Sequence, residues 1–154
     1  MKKLVAAFML LTLFVSCGLD QPKAVDYTAQ NEKQIKDYLT KNELTEVAKR
    51  TESGLYYIVK EEGSGVAPSP TAKVTVAYKG YFTNGTVFDK STETGISFGL
   101  NQVIKGWTEG IPYLKTGGSG QLFVPAHLGY GSFGNGPIPG GSVLIFDVKL
   151  LSID

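Results

Sequence analysis

Few side chains in this sequence could carry bond-making chemistry. His127 is the only histidine and Cys17 the only cysteine. With no second histidine, cysteine or carboxylate at ligand spacing, His127 is expected to be a loop residue with neither a metal nor a catalytic role. The apolar residues are placed more tellingly. In NQVIKGWTEG, residues 101–110, the single tryptophan, Trp107, follows Gly106, stands behind Val103 and Ile104, and lies shortly after Phe98. A tryptophan that merely filled a core would make the flanking glycines odd, whereas one flooring a pocket would explain them, with Gly106 leaving the approach uncrowded. Such a floor offers shape and a water-poor environment instead of a nucleophile. Taken by residue type alone, Phe88, Phe98, Ile138 and Phe146 are ordinary core, Asp89 is a solvated residue after a turn, and Tyr130, in a glycine-rich loop, is exposed or lining and not core.

The elements that must hold these residues are mostly strands. After Gly54, glycine and proline alternate with short β-branched and aromatic runs, a pattern of strands and tight turns. GLYYIVKEEG (54–63) is the first predicted strand. KVTVAYKGYF (73–82) alternates, with Val74, Val76, Tyr78, Gly80 and Phe82 on one face and Thr75, Ala77, Lys79 and Tyr81 on the other. Asn84-Gly85 is a strong hairpin signal, and Val87, Phe88 and Asp89 begin the return. GQLFVP is a further short strand, and SVLIFDVKLLSI a long final one with Leu144, Phe146, Val148 and Leu150 on a common face. One helix is clear in this region, from about Lys105 to Leu114, shortened or kinked where Pro112 removes a donor. A short helix against antiparallel strands gives an α+β domain.

Ahead of that domain, Asp26 to about Lys49 changes character. Ile35, Tyr38 and Leu39 recur at helical spacing among polar residues, with Asp26 as cap and Asn42 as the end, and Leu44, Val47 and Ala48 suit a short second helix. The thin stripe would pack on the main domain or make a homodimer contact. The first sixteen residues carry Lys2, Lys3 and an apolar run from Leu4 to Val15 that is shorter than the roughly twenty residues a spanning helix needs. They form an export signal. Residues 17–25 are a polar tether. The chain's formal charge is +1 over 154 residues, so it lacks the basic patch that nucleic acid requires, and DNA and RNA are excluded as partners.

Four segments, YKGYFTNGTVFDKS, SFGLNQVIKGWTEGI, VPAHLGYG and GPIPGGSVLIFDVKLL, occur in order and at matching separations, and together they resemble the signature blocks of the FKBP-type peptidyl-prolyl isomerases. The resemblance covers about residues 54–154. It implies a twisted antiparallel sheet wrapped around one short helix, with residues 26–50 as a helical extension. It also implies a substrate pocket made of Tyr78, Phe88, Asp89, Phe98, Val103, Ile104, Trp107, Tyr130, Ile138 and Phe146. In that reading Trp107 lies under a substrate proline ring, the amide near Ile104 and the Tyr130 hydroxyl bind substrate carbonyls, and Asp89 accepts a hydrogen bond from Tyr78. No cofactor or metal is implied. Partners would be flexible proline-containing polypeptides and the macrolide inhibitors of the family. Pro137, Gly140 and Gly141 depart from the commoner residues of the last loop, which leaves substrate preference at that rim open. Phe14-Val15-Ser16-Cys17 is similar to a bacterial lipobox, although Phe14 replaces the usual leucine. It implies acylated Cys17 holding the domain on a bilayer of the cell envelope, outside the cytoplasm. Rival readings are a peptide-binding chaperone module with little isomerase activity and a structural spacer.

Overall fold

The computed structural model describes residues 22–154; the expected export signal, Cys17 and the start of the expected tether lie outside the described residues. Among the described residues, seven antiparallel strands form one sheet: β1 (Lys49–Arg50), β2 (Tyr56–Glu61), β3 (Lys73–Phe82), β4 (Val87–Lys90), β5 (Ile96–Gly99), β6 (Ser119–Val124) and β7 (Leu144–Ile153). Their order is β1-β2-β6-β7-β3-β4, and β5 pairs with β3 as well. The long strands β3 and β7 are the spine, with Tyr78 opposite Val148 and Gly80 opposite Phe146. At the Asn84-Gly85 turn, Gly85 takes φ +87° and the Asn84 side chain accepts the Thr86 amide at 2.9 Å. The chain then returns along β3. The short strands β1 and β5 were not among the predicted elements.

Helix α2 (Lys105–Gly110) passes into a 3₁₀ turn at Ile111–Tyr113. Pro112 belongs to that turn, where its missing N–H costs nothing, so the expected helix is cut to six residues plus a tighter tail. Helix α1 (Thr28–Lys41) is the expected leading helix, but its N-cap position is Tyr27 and not the expected Asp26, which lies one residue earlier and whose Oδ1 accepts the Thr28 amide at 2.8 Å. Its end is closed by Glu43, which takes the left-handed φ of 57°, while the Leu44 amide donates to Leu39 O at 2.8 Å and Glu43 N to Thr40 O at 3.2 Å. That is a Schellman closure. The second helix expected at Leu44, Val47 and Ala48 does not form. After the closure the chain has room for a single turn before it must extend into β1, and Leu44 and Ala48 pack beside the sheet instead.

The strand alternation divides the apolar residues between two cores. On one face Val74, Val76, Leu122, Val124, Leu144, Phe146, Val148 and Leu150 meet Trp107, Ile111 and Leu114 from the α2 region. On the other, Tyr56, Ile58, Tyr81, Phe123 and Ile145 meet Ile35 and Leu39 of α1. Ile35 is fully buried and Tyr38 lies with its ring 5.8 Å from that of Phe123. The helical stripe is therefore spent inside the chain, and a dimer through those same residues would require α1 to undock. Polar contacts fasten the same helix at its side: Glu32 accepts from the Tyr56 hydroxyl at 2.7 Å and from Arg50 Nε at 3.1 Å.

Candidate active site

Helix α2 covers its sheet face from one side only. A Cβ at Gly106 would lie 2.5 Å from Val124 Cγ1, and one at Gly110 would lie 2.7 Å from Leu122 Cδ2. The glycines flanking Trp107 thus let the helix settle onto β6. This corrects the expectation that Gly106 clears the approach to the indole: its missing side chain faces the sheet. With α2 drawn to β6, the stretch of face formed by β3, β4 and β5 stays uncovered, and a cavity of about 590 Å³ opens there.

All ten predicted pocket residues line it. Tyr78 comes from the middle of β3, Phe88 and Asp89 from β4, Phe98 from β5 and Phe146 from β7. Val103 and Ile104 occupy the entry to α2. Tyr130 and Ile138 are carried by the loop between β6 and β7. Trp107 is only 5% exposed, yet it borders the cavity, so it acts as floor. Tyr78 and Phe146 stand edge-on to it at centroid distances of 4.9 and 5.1 Å, and Phe98 leans against it at 5.3 Å. Edge-to-face rings of this kind hold one another in orientation as well as burying area. The Trp107 Nε1–H is buried and donates to no group among the described residues.

Gly80 explains how the far wall fits. A Cβ there would come within 2.6 Å of the Phe88 ring and 2.9 Å of Phe146, so glycine lets both rings cross β3, where they meet at 5.6 Å and 88°. Beside them the Tyr78 hydroxyl donates to Asp89 Oδ2 at 2.6 Å, while Asp89 Oδ1 accepts the Lys90 amide at 2.8 Å. Burial, and then the neighbouring carboxylate, raise the Tyr78 phenol well above the ordinary tyrosine range. It stays a neutral donor. At the entry to α2, the Thr108 hydroxyl donates to Leu100 O at 2.5 Å, tying the helix to the segment that carries Val103 and Ile104. The Ile104 amide has no backbone acceptor among the described residues.

Ile96, Gln102, Asn135, Gly136 and Pro137 complete the lining. Of these only Pro137 was singled out in the sequence. Ile96 is exposed on the short β5, where four residues show no periodicity, and Asn135 pairs with Ile138 across a tight bridge. His127 is not part of the lining; its Nε2 is hydrogen-bonded to Ser53 O at 2.8 Å, which accounts for it as a loop fastener.

An antiparallel sheet half-encloses an aromatic-floored cavity whose one lining carboxylate, Asp89, is engaged by the Tyr78 hydroxyl, an arrangement suited to an apolar ring joined to a polar backbone. Comparison with known proteins names the class. Residues 65–151 match the family model described as FKBP-type peptidyl-prolyl cis-trans isomerase. The FKBP-type isomerase FkpA of Aeromonas hydrophila is 44% identical over 138 residues, covering 88% of this chain and 52% of that protein. The crystal structure of FkpA from Escherichia coli superposes with a TM-score of 0.74 at 41% identity, over 82% of this chain and 61% of that one. A peptidyl-prolyl isomerase structure from Pseudomonas syringae gives a TM-score of 0.71 at 26% identity, over 86% and 99%. The chain belongs to the FKBP-type peptidyl-prolyl cis-trans isomerase family. It spans about half the length of the FkpA relatives it matches.

Proposed function

We propose that this chain accelerates cis/trans exchange of X-Pro bonds in flexible polypeptides by binding the twisted amide non-covalently. The observation that carries this is the open cavity over Trp107, walled by Tyr78, Phe98 and Phe146.

A planar amide resists rotation by about 18 to 20 kcal/mol because the nitrogen lone pair is delocalised into the carbonyl. Twisting removes that delocalisation and the charge separation that goes with it. A water-poor aromatic cavity therefore favours the twisted form over the planar one, and a shape matched to the twisted form binds it more tightly than the ground state. A thousandfold acceleration needs about 4 kcal/mol. Ring packing and one or two hydrogen bonds suffice. In this reading the proline ring rests on Trp107, Val103 and Ile104 form its edge, the Ile104 amide and the Tyr130 hydroxyl receive substrate carbonyls, and the Asp89 bond fixes Tyr78 in the wall. Phe88, Ile138 and Phe146 exclude water. Macrolide inhibitors of the family would occupy the same cavity.

The same proposal places the isomerase domain at residues 54–154, behind an extension at 26–50, a tether at 17–25 and an export signal at 1–16. Acylated Cys17 would anchor it to an envelope membrane, outside the cytoplasm. Among the described residues, no helix is long and apolar enough to cross a membrane. A protease-coupled assay on an Ala-Xaa-Pro-Phe peptide tests the activity: the expected result is a first-order rate well above the uncatalysed one, proportional to protein concentration. A background rate alongside measurable peptide binding would leave only the chaperone reading. Radiolabelled palmitate incorporation that is lost in Cys17→Ser tests the anchor.

A further inference from the structure

Tyr130 and Ile138 stand on the loop that joins β6 to β7. In that loop Gly131, Gly134, Gly136 and Gly141 all have positive φ, a composition that by itself leaves many conformations open. One conformation is selected from outside the loop, by helix α1. Asn31 is completely buried, and a buried amide is costly unless its donors and acceptor are paired. Its Oδ1 accepts the Ala126 amide at 2.8 Å, and its Nδ2 donates to Gly141 O at 2.9 Å and to Gln34 Oε1 at 3.0 Å.

These contacts close a circuit. The Gly131 amide donates to Ala126 O at 2.7 Å, and the Gly141 amide donates to Gly131 O at 2.9 Å. Four hydrogen bonds therefore run from Asn31 to Ala126, Gly131, Gly141 and back to Asn31, gripping the loop at both ends and in the middle. Tyr130 adjoins one node of the circuit, and Ile138 lies between two of them. Tyr27 of the extension completes the grip: a Cβ at Gly141 would sit 2.5 Å from its ring. Glycine at 141 is thus required twice, by its φ of +74° and by the docked extension.

We infer that Asn31 is a positioning residue, through which the extension holds the Tyr130 and Ile138 wall of the pocket in place. The inference rests on the isomerase reading of that pocket. Asn31 touches neither the cavity nor Trp107, so its loss leaves the floor intact and makes substrate pay for ordering the wall on binding. The cost falls on KM more than on kcat.

The test compares Asn31→Ala, Asn31→Asp and Ile58→Ala, the last removing buried bulk of β2 beneath α1 while leaving all four hydrogen bonds of the circuit in place. All are measured well below their melting temperatures. Asn31→Ala is expected to raise KM for a proline tetrapeptide by about tenfold with kcat within about twofold, whereas Ile58→Ala leaves KM near wild type. Hydrogen exchange is expected to speed up at Ala126, Gly131 and Gly141 in Asn31→Ala and not in Ile58→Ala. Asn31→Asp keeps the acceptor for Ala126 and loses the donor to Gly141, so the Ala126 amide stays protected while Gly141 loosens. An unchanged KM in Asn31→Ala, or an equal rise in Ile58→Ala, overturns the inference. If the wild type does not isomerise at all, the isomerase reading fails separately and the exchange pattern still decides the positioning claim: selective loosening of 126–141 supports it, and unchanged protection refutes it.

Discussion

The two faces of the sheet are made from alternate residues of the same strands, yet one is sealed and the other is open. Helix α1 has fourteen residues and lays Ile35 and Leu39 onto Tyr56, Ile58, Phe123 and Ile145. Helix α2 has six, and its glycines draw it toward β6. A face covered by a long helix becomes a core, while one covered by a short helix held to one side keeps a cavity. Both faces are apolar, so composition does not separate them; the length and lateral position of the covering helix do. In the proposed function the sealed face supplies stability and the open face supplies binding, and the inferred role of Asn31 makes it the point where the first acts on the second.

That division breaks most visibly in stability. Ile58→Ala, on the sealed face, should cost about 2–5 kcal/mol because it leaves a void that the strands close only in part. Denaturant unfolding would show this as a lower midpoint, with kcat/KM for a proline peptide unchanged at low temperature. On the open face, Tyr78→Phe removes the hydroxyl that Asp89 accepts, at a cost of about 1 kcal/mol. There the larger consequence should be functional, a several-fold fall in kcat/KM with only a small shift in melting temperature.

Much of this arrangement is legible in the sequence, because β3 and β7 are long enough to show their alternation and the Asn84-Gly85 turn declares its hairpin. The ten pocket residues follow from the family blocks. What stays hidden has physical reasons. β1 and β5 are too short for a periodic signal and exist only because β2 and β3 offer free edges. The flanking glycines of Trp107 could be read as space for a ligand, and only the packing against Val124 and Leu122 reveals that the space is for the helix. Asn31 looks like any polar residue on a helix, and its burial depends on loop residues about a hundred positions later. The glycine at 141 was visible as a departure from the family, without its cause.

A pH experiment sharpens the same contrast. Burial, with help from Glu32, pushes the Tyr56 phenol up to about 12 on the sealed face. The folded chain keeps this proton where the unfolded chain, with an ordinary value of 10.0, loses it. The contribution to stability is therefore complete below pH 10 and disappears as pH climbs through about 12. Denaturation midpoints should fall between pH 9.5 and about 11.5, and Tyr56→Phe should flatten that fall. The smallest effect is expected where α1 ends. Glu43 holds a left-handed φ that favours glycine, so Glu43→Gly should stabilise by about 0.5–1 kcal/mol, read as a slightly raised melting temperature with no change in peptide affinity.

The central claim is that the open face over Trp107 performs the isomerisation without a reactive group. Its most direct test is kcat/KM for Trp107→Leu against wild type, at a temperature where circular dichroism shows both folded. The account predicts a loss of at least about tenfold, equivalent to 1.36 kcal/mol of transition-state binding, and pH-independent rates between 6 and 9 in both proteins, since no group in the pocket is called on to give or take a proton. A Trp107→Leu protein that isomerises as fast as wild type, or a wild-type rate that follows a titration within that range, would contradict it.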